Sequence, residues 1–341
     1  MTPAKLTLSE LADRFLSAER MLIVCHTGPD GDAVGSSTAL ALLAEACGIR
    51  AVCTAPDRIA DRLSFIIPDG LFREFDDSLL DECDTVMTVD TASVLQLGSL
   101  SHLAENGKID FMLDHHATGS PYADFYVDGD ASAAGEIVFE LYECLRERGR
   151  VKTLPTLCRA VYAAISSDTG SFKFSNVTPK THMTAAKIVE CISNADDGGM
   201  PVDEIARCLY GRRTMNDIRA QGLAIEKLRV YADGEIGAVL ITADDYLSRG
   251  LDEADVSNSV ETPRSLAGVR LAVAVRQKAD ARDTFKASCR SNCEINVADI
   301  CAEYGGGGHA KAAGCTLHAD SPEEALARMI ESFENALGGG R

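Results

Sequence analysis

The chain has 341 residues, which is enough for two domains that each bury a core without disulfide or metal cross-links. Apolar residues make up 46% and charged residues 25%, a composition that excludes disordered and fibrous proteins. There are 33 Lys and Arg residues against 52 Asp and Glu residues, so the net charge is −19. We therefore expect neither long duplex DNA nor an anionic membrane as a partner, since both require local positive charge.

The cysteines and the N-terminal segment bear on the cellular compartment. Twelve cysteines are scattered without a CxxC pair, and many lie in apolar segments, where a thiol packs as a small hydrophobic group. The first 20 residues contain three acids and do not resemble a secretory signal. These features predict a cytoplasmic protein.

The first part of the chain alternates short apolar runs with segments of helical spacing. The predicted strands are Met21–Cys25, Ala51–Ala55, Thr85–Val89 and Ile109–Leu113. The predicted helices are Leu6–Ala18, Ala33–Cys47, Ser93–Glu105, Ala134–Arg148, Leu157–Ser166 and Pro179–Ile192. This alternation favours an α/β fold with a parallel sheet flanked by helices.

A segment rich in Gly, Pro and Asp at 194–201 is the strongest linker signal in the chain. We therefore predict an N-terminal α/β lobe at 1–192, a linker with a connecting helix at 193–229 and a smaller α/β lobe at 230–341. The elements predicted beyond the linker are a helix at Thr214–Leu228, strands at Ile236–Ile241, Val269–Val275 and Thr284–Arg290, and a helix at Pro322–Leu337.

Acids and histidines cluster at or near the ends of four apolar runs in the first lobe. They are His26, Asp30, Asp32, Asp90, Asp114, His115, His116 and Asp168. Loops at the carboxyl ends of parallel strands converge on one crevice, so we expect these side chains to lie together. Any single Asp among them is more often a cap or turn residue, but together they carry negative charge that requires bound cations. Carboxylates with imidazoles and no thiolate suit manganese or magnesium better than structural zinc.

The second lobe carries a basic segment. Seven basic and two acidic residues lie between Arg264 and Arg290. Strand alternation places Lys286, Ser288 and Arg290 on one face, which suits a short polyanion, whereas Arg270 and Arg276 are predicted to lie on a solvated outer face. The four glycines Gly305–Gly308 are predicted to form no regular element, and their backbone amides to form an anion-binding nest beside His309.

Several of these segments resemble one known family. HTGPDGDA at 26–33, VD at 89–90, DHH at 114–116 and SDTG at 167–170 resemble the four ordered motifs of the DHH phosphoesterase superfamily. FKASCRS at 285–291 and GGGGHAKAAG at 305–314 resemble its DHHA1 substrate-binding domain. Length and layout are similar to the stand-alone bifunctional oligoribonucleases (nanoRNases) that also dephosphorylate pAp.

The resemblance implies a two-metal hydrolase whose active site lies in the cleft between the lobes. It places one ion on His26, Asp30 and Asp90. It places the other on Asp32, Asp90, His115 and Asp168, so that Asp90 bridges the ions. It assigns His116 to catalysis on the substrate side, and Asp114 would orient a neighbouring imidazole. The implied substrate-binding residues are Arg264, Ser288, Arg290, Gly306, Gly307, Gly308 and His309.

The expected activity is manganese-dependent hydrolysis of very short RNA to mononucleotides and removal of the 3′-phosphate of pAp. Magnesium and cobalt are alternative ions, and the sequence leaves a homodimer open. One alternative is the same chemistry on cyclic di-AMP or its product pApA. A second is a noncatalytic nucleotide-binding sensor, which should lack at least one metal ligand, whereas every motif position here is filled.

Overall fold

The parallel sheet predicted for the first lobe is present, with one strand more than the sequence indicated. The computed structural model describes residues 3–338, without the side chain of His309, and divides into two compact units between Arg212 and Arg213. The strands of the first unit are β1 (Arg20–Val24), β2 (Arg50–Thr54), β3 (Thr85–Val89), β4 (Phe111–Asp114) and β5 (Asp124–Val127). They are parallel in the order β2-β1-β3-β4-β5. The sequence did not indicate β5, because its four residues are all only partly buried and form no apolar run.

Besides a 3₁₀ segment at Asp61–Ile66 and a π-helical turn at Arg207–Gly211, the described residues of the first unit form eight α-helices. They are α1 (Leu8–Leu16), α2 (Gly31–Ala46), α3 (Ser78–Glu82), α4 (Ser101–Glu105), α5 (Ala134–Glu147), α6 (Pro155–Asp168), α7 (Pro179–Ser193) and α8 (Val202–Ala206). The prediction of one helix over Ser93–Glu105 was wrong. That segment forms a 3₁₀ stretch at Val94–Leu100 followed by α4, because Gly98 has a positive φ that interrupts the helix.

Strand β1 is buried on both faces. Met21 and Ile23 belong to one hydrophobic cluster, while Leu22 and Val24 belong to another. A parallel sheet covered on both sides is typical of α/β proteins and explains the continuous apolar run in the sequence. This packing fixes the carboxyl end of β1, from which the loop containing His26 leaves.

Helices α2, α5 and α6 approach one another through glycines. A Cβ atom at Gly35 of α2 would lie 2.7 Å from the carbonyl oxygen of Ala160 in α6. A Cβ atom at Gly135 of α5 would lie 2.6 Å from the Cβ of Ala164 in α6. This close packing holds the first turn of α2 against the first turn of α5 and fixes both relative to α6.

The second unit contains a mixed sheet of six strands. Its strands are β6 (Leu228–Tyr231), β7 (Ile236–Ile241), β8 (Leu271–Gln277), β9 (Thr284–Ser291), β10 (Gly307–His309) and β11 (Ala312–His318). Its helices are α9 (Met215–Glu226), α10 (Ala243–Leu247), α11 (Glu261–Arg264), α12 (Val297–Ala302) and α13 (Pro322–Gly338). The order is β10-β11-β9-β8-β7-β6, with β7 and β8 parallel and the other neighbours antiparallel.

The prediction that Gly305–Gly308 forms no regular element was wrong. Gly307 and Gly308 belong to β10 and pair with Gly314 and Ala313 of β11. A Cβ atom at Gly306 would lie 2.2 Å from the carbonyl oxygen of Gly314, and one at Gly308 would lie 2.6 Å from that of Ala312. Glycine is therefore required here for the close approach of two backbones, rather than for flexibility alone.

The segment at 194–201 lies inside the first unit. Arg159 of α6 donates to both carboxylate oxygens of Asp197, at 2.8 and 2.7 Å, and to the carbonyl oxygen of Met200. The limits of the functional domains, with a linker at 193–229, remain a prediction. Within residues 3–338 we find no helix that combines the length and the apolar character needed to cross a bilayer.

Candidate metal centre

The loop after β1 contributes the first two candidate ligands. Asp30 is the N-cap of α2, and its Oδ1 accepts hydrogen bonds from the amides of Asp32 and Ala33, both at 3.0 Å. The Nε2 atom of His26 lies 3.7 Å from Asp30 Oδ1 and 3.4 Å from Asp90 Oδ2. The cap thus fixes Asp30 beside the imidazole, and it uses the first amides of α2 that could otherwise bind an anion.

Asp32 is buried at the N-terminus of another helix. Its Oδ2 accepts from the amide of Ala134 at 2.6 Å, and its Oδ1 accepts from the amide of Gly135 at 3.0 Å. The hydroxyl of Ser36 donates to the same Oδ1 at 2.8 Å. These bonds orient the carboxylate of Asp32 at the first turn of α5, where the helix dipole favours negative charge.

Asp90 follows β3 and has an unusual backbone. It is buried, and its φ of 56° lies in the left-handed region that non-glycine residues rarely occupy. Its Oδ1 atom is buried and has no hydrogen-bond partner among the residues that the structure describes. A strained residue with an unsatisfied buried carboxylate oxygen costs stability, and such features cluster at functional sites.

The DHH segment at the end of β4 supplies two imidazoles with different partners. The Nε2 atom of His115 lies 3.5 Å from Asp90 Oδ1, 3.8 Å from Asp32 Oδ2 and 3.6 Å from Asp168 Oδ2. Its Nδ1 atom is 3.3 Å from the carbonyl oxygen of Ala131. His116 instead places Nδ1 2.8 Å from Asp114 Oδ1, so Asp114 orients His116 in this structure.

The donor atoms form three groups, within each of which the atoms lie within 4.8 Å of one another. The groups are His26 with Asp30 and Asp90, Asp32 with His115 and Asp168, and Asp90 with His115 and His116. The groups contain seven of the eight acidic and histidine residues singled out in the first lobe, and the eighth, Asp114, is hydrogen-bonded to His116. Oxygen and imidazole donors without a thiolate fit hard or borderline divalent cations, and the unpartnered oxygen of Asp90 is one such donor.

The electrostatics of the cluster favour added positive charge. Burial, with the nearby carboxylates of Asp90 and Asp168, raises the pKa of Asp32 well above its ordinary value. Burial likewise raises the pKa of Asp168 to about 6. Burial opposes protonation of His115, but the attraction of Asp90 and of the other surrounding carboxylates raises the pKa of its imidazole to about 10. The cluster therefore binds positive charge, whether protons or cations, in preference to remaining fully anionic.

The sequence did not indicate two residues that hold the ligands in place. Asp57 accepts hydrogen bonds from the hydroxyl of Thr27 and, at 2.8 Å, from the amide of Gly28, and thereby anchors the loop between His26 and Asp30. The side-chain amide of Asn176 donates to the carbonyl oxygens of Ser132 and Asp168, at 2.9 and 3.1 Å. Nothing in the local sequence distinguishes Asp57, since a lone Asp after Pro is an ordinary turn residue.

The predicted substrate-binding residues lie in the second unit. Arg290 Nε donates to Glu261 at 3.0 Å, and Arg264 Nη1 lies 3.2 Å from the same carboxylate. The hydroxyl of Ser288 accepts from Arg276 at 2.9 Å. Gly306 precedes β10 and is partly buried, while Gly307 and Gly308 belong to β10 and are exposed. His309 is the last residue of β10, and its side chain lies outside the described part of the structure.

The prediction that Arg276 lies on a solvated face was wrong. It occupies the polar face of the sheet together with Lys286, Ser288 and Arg290, as strand alternation requires, but its side chain is largely buried. Burial lowers the pKa of its guanidinium below the ordinary value. Arg270, the residue before β8, has a side chain that is 43% exposed and pairs with Glu235.

Two protein-family models match this chain, one in each unit. A family model described as the DHH family, N-terminal domain, matches residues 20–165, and one described as the DHHA1 domain matches residues 238–338. The chain belongs to the DHH family. As a DHH protein it is a phosphoester hydrolase, and its DHH match contains every candidate ligand except Asp168, which follows three residues after the match ends.

Relatives of this DHH protein match along most of their length. A protein of Thermus thermophilus described as bifunctional oligoribonuclease and PAP phosphatase NrnA is 27% identical over 92% of this chain and 89% of its own. The NrnA of Bacillus subtilis is 26% identical over 89% of this chain and 91% of its own. The crystal structure of an exopolyphosphatase-related protein from Bacteroides fragilis superposes with a TM-score of 0.85 at 21% identity, over 97% of this chain and 95% of the other. That likeness establishes the shared fold.

Proposed function

We propose that this protein hydrolyses very short RNA to mononucleotides and removes the 3′-phosphate of pAp. The observation that carries the proposal is the grouping of six candidate ligand side chains from four segments of the chain. His26, Asp30, Asp32 and Asp168 lie around Asp90 and His115. The two NrnA relatives, which match on both units, support this choice of substrate. The net charge of −19 supports a small substrate over long nucleic acid.

The site would hold two divalent cations, which we propose to be manganese. His26, Asp30 and Asp90 would bind one, and Asp32, Asp90, His115 and Asp168 would bind the other. The cations would supply an acidified water nucleophile and neutralise charge on the phosphate in the transition state. Asp32 would be held for this role by the amides of Ala134 and Gly135, and Asp30 by its capping bonds to α2.

His116 would act on the substrate rather than as a ligand. Its Nδ1 is engaged with Asp114, which fixes the orientation of the ring and favours its protonated form. The imidazolium could then stabilise negative charge on the phosphate or give a proton to the leaving oxygen. Asp114 would be a positioning residue, buried and hydrogen-bonded to His116 rather than aimed at the cations.

The second unit would bind the part of the nucleotide away from the scissile bond. Arg290 and Arg264 share the carboxylate of Glu261, so a substrate phosphate would compete with Glu261 for them. Ser288 and the exposed backbone at Gly307 and Gly308 would supply neutral donors, with His309 at the end of β10.

The test is hydrolysis of a substrate panel by the purified protein with added Mn²⁺, with Mg²⁺ and with chelator. The panel contains pAp, pApA, cyclic di-AMP and RNA of a few nucleotides, and released phosphate and mononucleotide are measured. We expect metal-dependent turnover of pAp and short RNA. Turnover confined to cyclic di-AMP or pApA would instead assign the alternative substrate, and binding without turnover of any member would indicate a sensor.

A further inference from the structure

Two cations lie directly opposite each other in the sheet of the second unit. Arg276 of β8 and Lys286 of β9 are paired residues of an antiparallel ladder, and Thr316 of β11 lies opposite Lys286 on its other side. Directly opposed residues of neighbouring strands project from the same face of the sheet. Two like charges at such positions destabilise the pairing, so their presence requires an explanation other than stability.

Neither cation has a carboxylate partner among the described residues. Arg276 donates to the hydroxyl of Ser288 at 2.9 Å, and Lys286 donates to the hydroxyl of Thr316 at 2.9 Å. Other basic residues between Arg264 and Arg290 do have a carboxylate partner. Arg270 pairs with Glu235, Arg282 with Asp244 and Arg290 with Glu261. Within this segment the two opposed cations therefore have only neutral hydroxyl groups as side-chain hydrogen-bond partners.

The guanidinium of Arg276 also has an unsatisfied donor. Its Nε atom is buried and has no hydrogen-bond partner within the described part of the chain, and the surrounding burial lowers the pKa of the group. A buried charged donor without an acceptor is costly. An anion that accepted from the terminal nitrogens of Arg276 and from Lys286 would offset the mutual repulsion and add negative charge beside a guanidinium whose buried Nε lacks an acceptor.

The polar face of the sheet beside these cations is lined by small side chains. The row of residues next to Arg276, Lys286 and Thr316 consists of Ala274, Ser288 and Gly314. Lys286 is exposed, and Ser288, Gly314 and Thr316 are partly exposed, so this part of the face is open to a ligand. The hydroxyls of Ser288 and Thr316 add neutral hydrogen-bonding groups next to the two charges.

We propose that Arg276 and Lys286, with Ser288 and Thr316, bind a phosphate group of the nucleotide substrate. The proposal rests on the proposed function for the identity of the nucleotide. It adds Arg276, which the sequence assigned to a solvated face, and it gives a specific ligand to Lys286, which the sequence placed only on a face suited to a polyanion. A phosphate accepts charge-assisted hydrogen bonds from both side chains. The site would bind the phosphate that is not cleaved, and its binding energy would select doubly phosphorylated nucleotides over simple phosphodiesters.

The test uses Lys286→Gln and Arg276→Gln in the full chain, with Arg270→Gln as the matched control. With pAp as substrate we expect kcat/KM to fall by roughly 10- to 150-fold in the first two variants. Arg270→Gln should retain the value of the unmodified protein, because Arg270 lies six residues before Arg276, beyond the other end of β8, and pairs there with Glu235. Hydrolysis of an aryl phosphodiester, which has no second phosphate, should be unchanged in all three.

Thermal unfolding without nucleotide provides a measurement that does not depend on turnover. Removing one of two opposed charges should raise the Tm of Lys286→Gln by about 1–4 °C. Added inorganic phosphate should stabilise the unmodified protein and Arg270→Gln more than Lys286→Gln or Arg276→Gln. A lower Tm for Lys286→Gln, or equal stabilisation of all four proteins by phosphate, would overturn the proposed site. Failure of every protein to hydrolyse pAp, with these shifts present, would refute the proposed function alone.

Discussion

A methyl group added at Gly35 should destabilise the first unit, although alanine is the better helix former. The new Cβ would lie 2.7 Å from the carbonyl oxygen of Ala160 and 2.9 Å from the Cβ of Ala164. The first distance is about 0.7 Å short of the 3.4 Å at which ordinary contact begins, and both neighbours belong to a packed helix that yields little. Such overpacking costs about 1–3 kcal/mol, while replacing a helical glycine gains only about 0.5–1 kcal/mol.

The net loss for Gly35→Ala is therefore up to about 2.5 kcal/mol, or a Tm lower by up to about 10 °C for a unit of this size. Gly222→Ala is the matched control, because a Cβ atom there would meet no atom within 4 Å. We expect that variant to gain roughly 0.5–1 kcal/mol. Differential scanning calorimetry suits the measurement, because two units can unfold in separate transitions.

The same substitution should weaken cation binding. Helix α2 carries Asp32 in its first turn, and α6 ends at Asp168, so separating the two helices moves one candidate ligand away from the other. Retained manganese after dialysis, measured by elemental analysis, should be lower for Gly35→Ala than for Gly222→Ala. If Gly35→Ala proved as stable as Gly222→Ala, the close contact between α2 and α6 would not exist as described.

Three further predictions concern the candidate metal centre. Asp90→Asn should abolish activity and lower the content of both cations, whereas Asp30→Asn should affect mainly one; two ions retained in Asp90→Asn would contradict a bridging role. His116→Ala should keep its metal while kcat falls at least about 100-fold, in contrast to His115→Ala, which should lose metal. Asp57→Ala should reduce cation affinity without removing a ligand, because the loop between His26 and Asp30 loses its anchor; unchanged affinity by titration would exclude that role.

The chain's local patterns were sufficient to predict most of the first unit. Strands β1 and β3 are continuous apolar runs because they are buried on both faces, so their positions could be read directly. The polar residues that follow β1, β3 and β4 then had to converge, since parallel strands end at one edge of their sheet. Strand β5 was not predicted, because its residues are only partly buried and do not form a continuous apolar run.

Features that depend on tertiary contacts could not be predicted. The glycines of β10 are explained by how closely Gly308 approaches the backbone of β11, which no local pattern reveals. Strand alternation predicts on which face of the sheet Arg276 lies, but not how deeply its side chain is buried. That burial depends on the elements that pack over β8. Asp57 anchors its loop from a distant part of the sequence, so only the folded chain shows its role.

The position of the candidate ligands along the chain has a consequence for folding. They extend from His26 to Asp168, and β1 pairs with β3 although α2 and β2 lie between these two strands in the sequence. Because these contacts are remote in sequence, their loop-closure entropy must be overcome before the ligand set exists, and such topologies fold slowly. Cations that require the complete set would then bind the native first unit far better than its unfolded chain. Their binding would act chiefly on the rate of unfolding and would protect the native state from proteolysis.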